Sequence, residues 1–284
     1  MPKLLALIDG SVYSKSVCDH AAWAALRTEA SVELLHVLGR RDVSSSPPDL
    51  SGSLDVDARD LLLAELASLD EQKAKLSQKR GRAMLVEAKA SLVATGVTNV
   101  STKLRHGDLV ETVNEMEMDS DLIVVGKRGE GADFAKLHLG SNLERIVRAS
   151  RKPIMVSSRA FKHVRNFMIA FDGGTSSQKA VNHIRMSRLF SGLECHLLMA
   201  GADADENRKR LQEATDALQR AGYEVRKNLI EGQADSTIAS YVDAHRIDLL
   251  VMGAYGHSRL RNLIIGSTTT EMIRTCKIPV VLFR

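Results

Sequence analysis

Residues 4–11 read LLALIDGS and residues 167–174 read FMIAFDGG. Each is an apolar run of strand character ending in Asp followed by Gly, and the two aspartates, Asp9 and Asp172, stand 163 residues apart. Later stretches match in the same order. SDLIVVGKRG (120–129) aligns with IDLLVMGAYG (247–256), LGSNLERIVR (139–148) with IGSTTTEMIR (265–274), and RKPIMVSS (151–158) with CKIPVVLF (276–283). The chain therefore reads as two copies of one unit, residues 1–158 and 163–284. Gly126 and Gly253 are only 127 apart, so the first copy carries 36 extra residues between its first and fourth strands. A Ser-, Pro- and Gly-rich stretch (39–53) reads as a long loop, and the residues from there to about Gly96 favour helix, which places the insertion at about 39–96. Leu62, Leu66, Leu69 and Leu76 recur at spacings of four, three and seven, an amphipathic stripe expected to lie on its own sheet or on a partner helix.

Within each copy, strand and helix alternate. In the second, strands are expected at about 166–171, 194–200, 223–230, 248–253 and 279–283, with helices at 176–190, 204–221, 234–245 and 267–275. LIVVG and LLVMG are apolar throughout, as parallel strands covered by helices on both faces require. The fold class is α/β: two repeated, doubly wound, five-stranded parallel-sheet domains. Such sheets bind ligands beyond the carboxyl ends of their strands, where the winding reverses.

Composition narrows the function classes. Lys and Arg exceed Asp and Glu by four in 284 residues, a mixed surface rather than a nucleic-acid groove, and aromatics at 4% leave few stacking platforms. Cys18, Cys195 and Cys276 form no metal or redox spacing, which suits a reducing compartment. No apolar run reaches membrane-span length, and the amino-terminal run is broken at Asp9. The expected location is cytoplasmic, with neither membrane nor nucleic acid as partner.

The sharpest local pattern is GAYGHSRLRNLIIGS (253–267). Gly253 ends a strand, Gly256 follows after two residues, and Gly266 and Ser267 follow after nine more, directly before a helix. Glycines there let an anionic oxygen approach main-chain NH groups, and a helix start adds free donors and the positive end of a dipole. Neither GxGxxG nor a Walker loop is present. The pattern G-x2-G-x9-G-[ST], after the fourth strand of an α/β unit whose first strand ends in Asp, resembles the ATP-binding universal stress protein family. The resemblance spans essentially the whole chain, counted as two copies.

That resemblance implies an adenine-nucleotide α-hydrolase-like fold, with ATP, alone or with Mg2+, as ligand. In the C-terminal half it places the adenosine at Asp172 and the backbone of Ala170 and Phe171, and the adenine near Met199. Gly253, Gly256, Gly266, Ser267 and Thr268 would surround ribose and phosphates. His257, Arg259 and Arg261 could offset phosphate charge or be solvated loop residues. Ser267 and Thr268 could instead cap the helix, since Thr268 with Glu271 has capping-box spacing, as does Ser141 with Glu144. The first half keeps Asp9, Gly126, Gly129, Gly140 and Ser141, but ten residues separate its second and third glycines. Glu130 and Asp133 add negative charge there, partly compensated by Lys127, Arg128 and Lys136, so a weaker site is expected. The family's final strands pair subunits, which implies that 152–158 and 278–284 pair within this chain as an internal pseudo-dimer.

No catalytic constellation is legible: there is no GxSxG, HExxH or Walker lysine. His36, His106, His183, His196 and His245 are scattered, and an ordinary structural role is expected for each. The reading is a stress-response regulatory module that binds adenine nucleotide and an unidentified protein partner, with no catalytic residue and no protein-borne metal. A scaffold without nucleotide, a slow ATPase and a homodimer of the tandem chain remain open beside it.

Overall fold

The computed structural model describes residues 1–39, 56–129, 141–254 and 266–284. In the first half the elements run β1 (Lys3–Leu7), α1 (Ser14–Thr28), β2 (Ser31–Leu38), α2 (Val56–Ala94), β3 (Val100–His106), α3 (Leu109–Met116), β4 (Leu122–Gly126), α4 (Ser141–Ala149) and β5 (Ile154–Ser157). The second half repeats them as β6 (Asn166–Ala170), α5 (Thr175–Met186), β7 (Glu194–Ala200), α6 (Asp205–Arg220), β8 (Val225–Ile230), α7 (Ala234–Ala244), β9 (Leu249–Gly253), α8 (Ser267–Thr275) and β10 (Val280–Phe283). Short 3-10 turns follow α3 and α5, at Glu117–Asp119 and Arg188–Phe190.

One ten-stranded sheet results, in the order β3-β2-β1-β4-β5-β10-β9-β6-β7-β8. Every pairing is parallel except β5 with β10, where the halves meet antiparallel through Val156–Val280, Met155–Val281 and Ile154–Leu282. The internal pseudo-dimer is thus built into the sheet. Ile123 NH bonds to Pro153 O, and Leu250 NH to Pro279 O, both at 3.0 Å. These bonds make Pro153 the counterpart of Pro279, one residue out of step with the alignment of 151–158 on 276–283. The sequence comparison slipped because Pro falls third in RKPIMVSS and fourth in CKIPVVLF.

Alternating strand residues feed two cores, one on each face of the sheet. Leu4, Ala6 and Ile8 join Phe167, Ile169 and Phe171 under α1, α2, α5 and α6. Leu5 and Leu7 join Met168, Leu250 and Met252 under α3, α4, α7 and α8. Both cores run across the seam, so the halves share their helical layers. The linker fills one side of that seam: Val164 is buried, and the Phe161 ring meets His20 edge-on at 5.0 Å. On the other side His183, the counterpart of His20 at the 163-residue offset, lines a cavity of about 470 Å3 with Asp121, Pro153, Phe190 and Phe283.

The insertion takes the form of α2, 39 residues long where its counterpart α6 has 16. Its packed line is Gly81, Leu85, Ala88 and Leu92, spaced four, three and four, against β2 and β3. Of the two covers expected for the leucine stripe, its own sheet or a partner helix, the sheet is not the one. Leu62, Leu69 and Leu76 are exposed and Leu66 is half-buried, because the helix meets its own sheet only in its carboxyl-terminal part. The loop predicted at 39–53 lies, past Gly39, outside the described residues.

Candidate functional site

Each half winds in the order 3-2-1-4-5, so the direction reverses between β1 and β4 and again between β6 and β9. The carboxyl ends of those strands carry Asp9 with Gly126, and Asp172 with Gly253. In the second half both ends are tied to the first turn of α5. The Asp172 Oδ1 atom accepts from the Gly174 NH at 2.9 Å and from the Ser177 hydroxyl at 2.6 Å. Gly253 passes so close that a Cβ there would lie 2.8 Å from Ser176 Cβ and 3.2 Å from the Ser177 NH nitrogen. Only glycine lets strand end and helix start approach this closely. The backbone next to Asp172 turns through Gly173 at φ +72°, a conformation that side chains disfavour.

The glycine loop closes at its base. Gly266 NH bonds to Ala254 O at 3.2 Å, Ala254 NH to Phe283 O at 2.7 Å, and the buried Thr269 hydroxyl to Gly253 O at 3.0 Å. Helix α8 therefore starts beside the end of β9. Its N-cap is Gly266, and among the described residues no side chain caps it. The capping-box reading of Thr268 with Glu271 is not realised, because the N-cap is Gly266, two residues before Thr268, and Glu271 instead pairs with Arg274 at 2.7 Å. Ser267 is exposed and Thr268 half-buried. A carboxylate, a glycine strand end and an uncapped helix start thus border one crevice. Their chemistry fits a ligand carrying hydroxyl or amino hydrogens at one end and anionic oxygens at the other.

The remaining sequence-predicted residues divide. Ala170 lies half-buried at the end of β6, and Phe171 is buried with its NH bonded to Leu198 O at 2.8 Å, which leaves its main chain rather than its ring at the crevice. Met199 is 3% exposed and belongs to the same core cluster as Phe171. Gly256, His257, Arg259, Arg261 and Gly140 lie outside the described residues. Of Ser141 only its place at the start of α4 is described.

The first half repeats the skeleton. Asp9 Oδ1 accepts from Ser11 NH at 3.0 Å and from the Ser14 hydroxyl at 3.2 Å. A Cβ on Gly126 would lie 2.9 Å from Tyr13 Cβ, and one on Gly129 would lie 3.2 Å from Asp9 Oδ2. Lys127 is engaged across the seam, while Glu130, Asp133 and Lys136 lie outside the described residues. The Lys127 Nζ donates to Cys276 O at 2.9 Å, at the carboxyl end of α8 in the other half, and burial lowers its pKa to about 8.

Several residues at the crevices escaped the sequence reading. Ser14 and Ser177 share the 163-residue offset of the aspartates, so extending the repeat from Asp-Gly to Asp-Gly-x3-Ser would have found them. The covers had no such signal. Over Gly10, at φ +78°, lie Met84 and Arg80 of α2, with Met84 Sδ 2.6 Å from where a Cβ would stand. Over Gly173 lies Arg210 of α6, its Cδ 3.0 Å from the corresponding point, and Arg210 also pairs with Glu206. Two of the scattered histidines make internal bonds. His36 bonds to Ile8 O at 2.6 Å, and His196 to the Tyr241 hydroxyl at 2.9 Å, with burial lowering its pKa. Burial likewise pushes the Cys18 and Cys195 thiols up to about 12, away from nucleophilic chemistry.

Comparison with known proteins agrees with this architecture. A universal stress protein from Synechocystis sp. (strain PCC 6803) is 35% identical over 287 residues, covering all of both chains. The crystal structure of a universal stress protein from Archaeoglobus fulgidus DSM 4304 superposes with a TM-score of 0.74 at 19% identity, over 99% of this chain and 98% of that one. A functionally unknown protein from Pseudomonas aeruginosa PAO1 has the same fold, with a TM-score of 0.64 at 17% identity over 100% and 92% of the two chains. The family model described as "Universal stress protein family" matches residues 1–158 and 196–284, and the chain belongs to that family.

Proposed function

We propose that the chain is a cytoplasmic stress-response regulatory module that binds ATP or another adenine nucleotide, chiefly through its C-terminal half. Residues 163–284 form the binding domain and residues 1–158 a companion domain with an altered site. The observation that carries this reading is the convergence of Asp172 and Gly253 on the first turn of α5, beside the uncapped start of α8 at Gly266. The Asp172 carboxylate suits the nucleoside end, and the α8 amides suit phosphate. In this reading His257 and Arg259 meet the phosphates, and Met199 underlies the adenine from the core. Nucleotide acts as a signal: by bridging Asp172 and the start of α8 it favours one conformation of a surface that a protein partner reads, which requires different affinity in the two states.

Mass spectrometry of nucleotide released on denaturing freshly purified protein, counted per chain and repeated with Gly256→Glu, tests this. The variant sets a side chain and a negative charge where phosphate approaches. About one adenine nucleotide per chain, absent from the folded variant, is expected. No nucleotide in either protein, and no heat on titration with ATP, would establish the scaffold reading instead.

A further inference from the structure

We infer that α2 is a self-pairing surface, across which a second copy of this chain docks its own α2 antiparallel, along the row Leu62, Leu69 and Leu76. Among the described residues, twelve large apolar side chains are exposed, and six of them (Leu62, Leu63, Leu69, Leu76, Val86, Val93) lie on this one helix. At about 100° per residue, the leucine row stands roughly 130° around the helix from the line Gly81, Leu85, Ala88 and Leu92 that packs on the sheet. The half-buried positions of the amino-terminal part, Leu66, Asp70, Ala74, Ser77 and Gln78, continue toward that packed side and not toward the row. Leu69 and Leu76 are 59% and 68% exposed, so none of the described residues covers the row. A seven-residue repeat keeps such a row on one side over successive turns, as pairing helices require.

Charge and symmetry select the occupant. From Asp60 to Glu71 the helix carries Asp60, Glu65, Asp70 and Glu71 and no base, whereas from Gln72 to Arg82 it carries Lys73, Lys75, Lys79, Arg80 and Arg82 and no acid; Glu71 and Lys75 pair within the helix at 2.6 Å, and Glu65 and Lys73 flank the row on either side of Leu69. Parallel pairing would set like charge against like. Antiparallel pairing sets the acidic stretch of each copy along the basic stretch of the other. The leucine row is symmetric about Leu69, so a two-fold axis there places Leu62 opposite Leu76 of the second copy and Glu65 opposite its Lys73. A two-fold interface needs this kind of self-complementary surface. The inference does not depend on nucleotide binding.

Cysteine cross-linking of the full chain distinguishes the arrangements, because Cys18, Cys195 and Cys276 are all buried. Under mild oxidation Leu69→Cys forms a disulfide-linked dimer. Leu62→Cys alone does not, since antiparallel copies hold these positions roughly 20 Å apart along the axis, but it links to Leu76→Cys when the two variants are mixed. Analytical ultracentrifugation finds wild-type dimer, and Leu69→Glu weakens it at least tenfold, with an unfolding midpoint equal to that of the wild type at a dilution where both are monomeric, the side chain being exposed in the single chain. Wild-type monomer throughout the micromolar range, a dimer indifferent to Leu69→Glu, or Leu62→Cys linking to itself would each overturn the inference.

Discussion

The two crevices share a frame and differ in their covers. Asp9 and Asp172, Ser14 and Ser177, Tyr13 and Ser176, and Gly126 and Gly253 occupy equivalent places and make equivalent contacts. Above that frame, the first half lays Met84 and Arg80 of a 39-residue helix, and the second lays Arg210 of a 16-residue helix. The frame is held by close backbone approach and carboxylate bonds, which tolerate little change of side chain. The covers are long, flexible side chains on helices packed from outside, where many residue types fit.

The hardest break of the comparison is at the glycines. Gly253→Val pushes a branched side chain into Ser176 and the backbone of α5, and should cost about 3 kcal/mol in urea unfolding. Gly126→Val should cost less, because the nearest main-chain atom it meets, Arg128 O, stands 3.4 Å away, against 3.2 Å for the Ser177 nitrogen at Gly253. Equal losses would show that the two approaches are energetically alike. Next comes the carboxylate: Asp172→Ala should weaken ATP binding at least tenfold by calorimetry, about 1.4 kcal/mol, whereas Asp9→Ala should change it less than twofold. A reversed order would move the working site to the first half.

Met84→Ala sharpens the comparison differently, by removing the thioether from above Gly10. If that cover is what separates the halves, nucleotide stoichiometry rises toward two per chain, and a value still at one assigns the difference to the loop between Gly129 and Ser141. The smallest effect concerns the paired histidines. Burial lowers the His20 pKa, opposed by its bond to Ser16 O and by Asp19. The unfolded chain therefore takes up the proton first, and stability falls as pH drops below about 6.5, the ordinary histidine value. His20→Gln should flatten the dependence of the unfolding midpoint between pH 7 and 5. Burial lowers the pKa of His183 as well, but it lines an open cavity near Asp121, and His183→Gln should flatten the dependence less.

Much of the fold was legible because its signals are local and occur twice. The strand predicted at 194–200 is observed at Glu194–Ala200, and the helix predicted at 267–275 at Ser267–Thr275. A continuous apolar run such as LLVMG leaves few alternatives to a buried strand. Of the crevice, the aspartates and Gly253 were legible because the backbone itself demands them. Arg210, Met84 and Arg80 were not, since their role comes from where a distant helix crosses a turn, and no spacing along the chain encodes that crossing. The leucine stripe was read correctly as a stripe, and of its two expected covers, its own sheet or a partner helix, the sheet is not the one. Periodicity reports that a face is apolar, but not what covers it, and the line that does pack includes Gly81 and Ala88, too small to stand out.

The antiparallel pair β5–β10 has one more consequence. In a dimer of identical chains every substitution at a two-fold seam appears on both sides, so a change must suit itself as well as its partner. Joining the halves in one chain lifts that constraint and holds the strands together at an effective concentration fixed by the linker rather than by expression level. Residues at the seam are then free to differ across the axis. Lys127 can reach across to Cys276 O while its counterpart, Ala254, makes a main-chain bond to Phe283, and His20 can be sealed by Phe161 while His183 meets the Phe283 ring beside a cavity. Covalent fusion thus allows one half to specialise without requiring the other to follow.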